Sequence, residues 1–189
     1  ENALFSYAVI GFIILNLFYC SRGKHIVIVD AFCISIGFVL RVVGGAYAIS
    51  VMPSSWILVT TLFLALFLGF GKRRNELVQL NELAGDHRAV LGNYDQALLD
   101  HLIMSTGTLA IISYALYTLD FTVIARIQSD KLSYTIPFVT YGIYRYMYLL
   151  RQDGEGDPTE LVTRDISIIV STMIWAVSVV TIAILGSHH

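Results

Sequence analysis

The chain has 189 residues, 56% of them hydrophobic and only 14% charged, with a formal net charge of −2. Soluble domains carry roughly 25% charged residues, so this composition excludes an ordinary soluble domain and places the chain among membrane proteins. The balance of charge argues against a nucleic-acid partner, and Cys20 and Cys33, both in apolar stretches, form no metal-ligand or disulfide pattern and read as buried structural thiols.

A spanning helix needs about 20 mostly apolar residues, and six stretches meet that need: Ala3–Cys20, Ile26–Val51, Ser54–Gly71, Ala97–Thr118, Ser133–Leu150 and Asp165–Leu185. None shows the period-two alternation of a barrel strand, so the expected fold class is all-α, a polytopic transmembrane helical bundle. The first stretch opens almost at Glu1, with no basic n-region and no small-residue cleavage site, so it is not a secretory signal. It reads as the interior of a longer protein.

After the first helix comes a short basic loop, Ser21–His25, with Lys24 and His25 at its end. The second helix carries two ionisable residues, Asp30 and Arg41, which are costly inside a span and usually face a polar interior. Eleven residues at about 100° each bring them to nearly one face, about 16 Å apart along the axis. Gly37, Gly44 and Gly45 near that face permit close helix packing. Two readings fit: a polar cavity with Asp30 at its mouth, or a buried network that only joins helices.

The third helix follows a tight Met52-Pro53 turn and ends in Gly71-Lys72-Arg73-Arg74-Asn75-Glu76-Leu77. At helical spacing Lys72 and Glu76 share a face. Lys and Arg suit phosphate oxygens, and a carboxylate suits a hard divalent cation such as Mg2+. Lys72, Arg73 and Glu76 are therefore candidates for holding a metal-bound diphosphate, with Glu76 as metal ligand; the other reading is a basic cap at anionic lipid headgroups. The polar connection Lys72–Gln96 continues with Glu82, Asp86, His87, Arg88 and Tyr94. The fifth helix has Tyr141, Tyr144, Arg145, Tyr146 and Tyr148 near its end, a pattern of interfacial tyrosines from which Arg145 stands out. The connection Gln152–Arg164 contains Gly154, Gly156 and Pro158, and Asp165, which opens the sixth helix, reads as an N-terminal cap.

Loops after the first, third and fifth helices share one face. That face collects Arg22, Lys24, Lys72, Arg73, Arg74, Arg88, Arg145, Arg151 and Arg164, against Arg126 and Lys131 on the other. Nine against two places the basic face in the cytoplasm.

Taken together, Lys24-His25 with Asp30 and Arg41, then Lys72-Arg73-x-x-Glu76-Leu77, then Tyr141-Gly142-x-x-Arg145-Tyr146 resemble the polyprenyl-phosphate phosphoribosyltransferases of the UbiA prenyltransferase superfamily. The likeness covers nearly the whole chain. It implies a UbiA-like bundle of nine helices, with these as the last six, in a bacterial inner membrane with cytoplasmic active-site loops. It implies an Mg2+ cofactor and transfer of a 5-phosphoribosyl group from phosphoribosyl diphosphate to a polyprenyl phosphate, for cell-envelope sugar-lipid synthesis. Lys72, Arg73 and Glu76 stand where the family's second polar motif stands. Lys24 would contact phosphate, and Arg88, Tyr94 and Arg145 would support it, alongside His25, Asp30 and Arg41 as substrate-binding residues. A homo-oligomer is a further partner compatible with this reading. The chain departs from the superfamily in lacking an Asn-Asp-x-x-Asp-x-x-x-Asp motif, so either three N-terminal helices precede it or it is a paralogue without catalysis. The first reading expects the isolated chain to be inactive. Alternative functions are an aromatic prenyltransferase using a prenyl diphosphate, and a non-catalytic membrane transport or scaffold subunit.

Overall fold

A computed structural model describes residues 3–82, 94–152 and 163–186. Among these residues the chain is helical and contains no strand. Seven α-helices follow in order: α1 (Ala3–Ser21), α2 (Val29–Ala48), α3 (Ser55–Glu82), α4 (Gln96–Leu119), α5 (Phe121–Ile127), α6 (Ile136–Gln152) and α7 (Ile166–Gly186). Short 3-10 turns occupy Gly23–His25 and Lys131–Thr135.

α1, α2, α3, α4 and α7 are long and apolar enough to cross a membrane. α6 has 17 residues and continues directly from the turn at Lys131–Thr135, which makes it the sixth rod of the bundle. Many large apolar side chains point outward: Leu17 on α1 is 67% exposed and Val177 on α7 is 61% exposed. In water each would forfeit about 25 cal/mol per Å2 of apolar surface, whereas lipid accepts it. Ser35, Thr60, Thr61 and Thr106 bond to carbonyls four residues earlier, so these hydroxyls need no water within the spans. The chain is thus an integral membrane protein in architecture.

Several boundaries differ from those expected. α3 does not stop at Gly71 but runs on to Glu82, because the polar residues that follow are good helix formers and Arg73 and Arg74 find buried partners. α2 starts at Val29 rather than Ile26, because Ile28 adopts φ 70° and ψ −44°, which no helix continues through. The connection after α4 contains the short helix α5, capped by Asp120, whose carboxylate accepts a hydrogen bond from the Thr122 amide at 2.8 Å. Cys33 is buried as expected, but Cys20 is exposed, because α1 buries only Ala8 along its length.

α3 occupies the middle. It packs against α2 on one flank and α4 on the other, while α6 lies between α4 and α7. The core is made by Leu66, Phe67 and Phe70 of α3, Leu99 and Ile103 of α4, and Ile143, Tyr146 and Leu150 of α6. At one end of the bundle the Tyr114 hydroxyl lies 2.7 Å from Thr135 Oγ1 and accepts from Trp175 Nε1 at 2.8 Å, tying α4 to α7. Nearby, Arg126 Nη2 donates to the carbonyl of Met52 at 3.0 Å, fixing α5 to the turn between α2 and α3.

α3 and α6 approach closely where α3 carries Gly71. A Cβ there would stand 2.6 Å from Tyr146 Oη and 3.3 Å from Leu150 Cδ1. Gly71→Val is therefore expected to cost about 1–3 kcal/mol by overpacking, read as a lower thermal midpoint in detergent. Gly142→Ala, with nothing within 4 Å of its Cβ position, should leave the midpoint nearly unchanged.

Candidate functional site

The antiparallel order of the rods brings the start of α2, the end of α3, the start of α4, the end of α6 and the start of α7 to one end of the bundle. Most of the basic residues counted above gather there. Its centre is Arg73, nine-tenths buried on α3. Arg73 Nε lies 2.7 Å from Asp30 Oδ2, and its Nη1 pairs with Glu76 Oε2 three residues on. Asp30, 2% exposed, lies in the first turn of α2, where the positive end of the helix dipole favours a carboxylate. A charge in an apolar bundle survives only if paired and hydrogen-bonded, and here three charges share one arrangement.

Tyr94 completes it. Its hydroxyl donates to Asp30 Oδ1 at 2.8 Å and accepts from the backbone N–H of Ile28 at 2.6 Å. Burial pushes the Tyr94 phenol well above the usual tyrosine range, so the hydroxyl keeps the proton it gives to Asp30. The positive φ of Ile28 is what aims its amide at Tyr94. A β-branched residue in that region is strained, and such strain is typical of functional sites.

The neighbouring arginine turns the other way. Arg74 Nε pairs with Asp100 of α4 at 2.6 Å, and its Nη1 donates to the carbonyl of Leu150 on α6 at 2.5 Å. Asp100 is absent from the candidates that motif spacing points to. An acidic residue one turn into an apolar span is the signal that marks it. Arg145 pairs with Asp165 at 2.7 Å and lies over the Tyr148 ring, with its carbon 5.2 Å from the centroid. Asp165 also accepts from the Ile168 amide at 2.9 Å, so it caps α7 as the sequence indicates.

The structure thus brings Asp30, Arg73, Glu76 and Tyr94 together. Lys72 is exposed on the outer side of α3, and Lys24 and His25 are exposed in the 3-10 turn that leads towards α2. Their ammonium and imidazole groups make no hydrogen bond or ion pair among the described residues, which leaves them to meet an anion. Arg145 sits one helix over, engaged with Asp165. Arg41 does not join the cluster: it is exposed, its guanidinium over the rings of Phe12 and Phe38 at 4.9 and 5.1 Å. Arg88 lies outside the described residues.

Chemically the cluster is a guanidinium held between two carboxylates, with the exposed ammonium of Lys72 on the same helix end and Glu76 half-buried at its edge. Such a set recognises phosphate oxygens. Among the described residues no three His, Cys, Asp or Glu side chains group as a metal site. A Mg2+ ion carried by substrate phosphates needs only one or two protein carboxylates, and Glu76 fits that smaller demand.

In sequence the chain is similar to several named proteins. The chain is 28% identical over 173 residues to a decaprenyl-phosphate phosphoribosyltransferase of Corynebacterium glutamicum, covering 91% of this chain and 52% of that protein. It is 27% identical over 171 residues to the enzyme of the same name from Mycolicibacterium smegmatis, covering 87% of this chain and 54% of the relative. For the Mycobacterium tuberculosis protein of that name the identity is 23% over 170 residues, covering 89% of this chain and 55% of the relative. The chain therefore spans about half the length of the curated relatives it matches. No family model matches it. The relatives carry the name of the family that the motifs resemble.

Two outcomes test the geometry. Tyr94→Phe removes both bonds of the phenol and should cost roughly 1–3 kcal/mol. Amide exchange at Ile28 should accelerate, which hydrogen-exchange mass spectrometry would resolve. The Arg145 hydrogen bond, followed by the Ile168 amide, holds the Asp165 carboxyl below the usual aspartate range. Its contribution to stability is therefore full above the ordinary aspartate value of about 3.9 and is lost as pH falls through the depressed one. Asp165→Asn should lower the thermal midpoint at neutral pH, and the gap to the parent should close in acid.

Proposed function

We propose that this chain forms part of a membrane enzyme that transfers a 5-phosphoribosyl group from phosphoribosyl diphosphate to a polyprenyl phosphate, with a decaprenyl chain the first candidate. The observation that carries the reading is Arg73, buried between Asp30 and Glu76 on the helix end that also presents Lys72. The likeness in sequence to phosphoribosyltransferases supports it. On this reading the helices correspond to the last six of a nine-helix UbiA-like bundle, the basic end faces the cytoplasm of a bacterial inner membrane, and the product serves cell-envelope sugar-lipid synthesis.

The reaction breaks the bond between the anomeric carbon and the diphosphate oxygen and forms one between that carbon and an oxygen of the lipid phosphate. Charge accumulates on the departing diphosphate. A guanidinium already fixed in a water-poor setting stabilises that charge without reorganising. In many enzymes such preorganised charge stabilisation lowers the barrier more than any other effect. Arg73 cannot swing away because two carboxylates hold it. Lys72, Lys24 and His25, being exposed and unpinned, would gather the donor's phosphates from solution. Mg2+ bound with the donor would neutralise part of the diphosphate charge, with Glu76 as its protein ligand.

The test is an assay of the complete gene product in membranes, with labelled phosphoribosyl diphosphate, Mg2+ and decaprenyl phosphate, reading label in the lipid phase. Arg73→Lys and Glu76→Gln should each reduce turnover by about 10²-fold or more, the scale of losing one preorganised charge stabiliser. Lys72→Ala should act mainly on the donor's KM. Prenyl transfer to an aromatic acid, with no ribose entering lipid, would replace this reading with the aromatic prenyltransferase.

A further inference from the structure

Arg73 and Arg74 are adjacent, yet they serve different surfaces. Arg73 turns to α2, whereas Arg74 is drawn between α4 and α6 by Asp100 and the Leu150 carbonyl. Above Arg74, α4 and α6 part to leave a cavity of about 340 Å3. That volume is at the lower end of the about 300–1,000 Å3 typical of ligand pockets.

The lining is sorted by chemistry. Arg74 and Asp100 form the polar floor at the basic end, with Arg151 at the rim. Met104 of α4 and Tyr144 and Met147 of α6 continue the wall along the apolar length of the helices. The guanidinium of Arg151 is exposed and has no ion pair among the described residues. Arg74 spends two of its five N–H donors on Asp100 and Leu150, and the remaining ones have no partner among the described residues. Two arginines against one carboxylate leave the polar end with a net positive charge, while the apolar part holds no charged group. Met104 and Tyr144 are largely exposed, so this part opens sideways, on the surface that faces lipid.

We propose that this groove is a binding site for an anionic phospholipid of the bilayer, separate from the Arg73 cluster. The phosphodiester sits on Arg151 and the spare N–H groups of Arg74, and the first segment of an acyl chain lies between Met104 and Met147. Flexible methionines suit a chain with many conformers, and a tyrosine at this depth places its ring at the headgroup boundary. Because Arg74 also anchors the end of α3, a bound lipid steadies the helix that carries Arg73.

The experiment places the protein in nanodiscs doped with a photoactivatable phosphatidylglycerol and maps the adducts by mass spectrometry. Adducts are expected to concentrate on α4 around Met104 and α6 around Met147, and to be competed by phosphatidylglycerol but not by phosphatidylcholine. Arg151→Gln should reduce them about fivefold, the effect of one cation near an anionic surface. Met104→Trp, which keeps every charge and fills the groove, should abolish the α6 adducts while the thermal midpoint holds. Labelling spread evenly over the lipid-facing helices, or equal competition by phosphatidylcholine, would overturn the proposal. Displacement by decaprenyl phosphate at lower concentration than phosphatidylglycerol would also overturn it, making the groove a place for the acceptor. No arm requires transferase activity, so lipid binding and the proposed reaction stand or fall separately.

Discussion

The arrangement depends on one constraint: a guanidinium at Arg73 cannot be buried in an apolar bundle without anionic partners. Taking such a charge out of water costs several kcal/mol even after relaxation. Asp30 answers from α2 and Glu76 from the next turn of α3 itself. The pair therefore fixes the rotation of α2 about its axis relative to α3. It also requires α3 to remain helical past the apolar span, since Glu76 reaches Arg73 only at the three-residue spacing of a helix.

Once Asp30 is committed to Arg73, its second oxygen still needs a donor, and Tyr94 supplies one. Tyr94 in turn needs a donor for its own lone pair, and the Ile28 amide supplies that. The amide is available because α2 begins one residue later and leaves it outside the helical ladder. Each group is satisfied by the next, which is the condition for a buried polar network to hold together. Arg74 runs a parallel arrangement towards α4 and α6, so one turn of α3 organises both flanks of the bundle's basic end.

Much of this is readable from the chain. Apolar length marks five of the six rods, because a span must satisfy its own backbone; α6, with 17 residues and several tyrosines and arginines, falls short of that measure. The i, i+3 and i, i+4 spacing around Lys72–Glu76 suggests a helical face, and the ionisable Asp30 inside a span announces a partner. Other features depend on tertiary contact and leave no local trace. Nothing in Arg73-Arg74 says that the two side chains diverge, since the partners Asp30 and Asp100 come from different helices. Arg41 illustrates the converse. Helical geometry puts it on the face of Asp30, but its guanidinium lies over Phe12 of α1 and Phe38 of its own helix instead. Aromatic faces can hold a cation where no carboxylate is near.

The backbone at Ile28 carries strain that the cluster's hydrogen bonds must hold in place. A β-branched residue at φ 70° costs on the order of 1–3 kcal/mol. A glycine would relieve that cost, but it would also free the chain between the Lys24-His25 turn and α2. With isoleucine the backbone has fewer alternative conformers than with glycine, and its amide bonds Tyr94, which bonds Asp30. The turn that carries the exposed Lys24 and His25 therefore leads into α2 through this one residue. On the proposed function, Lys24 would gather phosphate and Arg73 would stabilise charge, and Ile28 lies between the turn that carries the first and the Asp30 that holds the second.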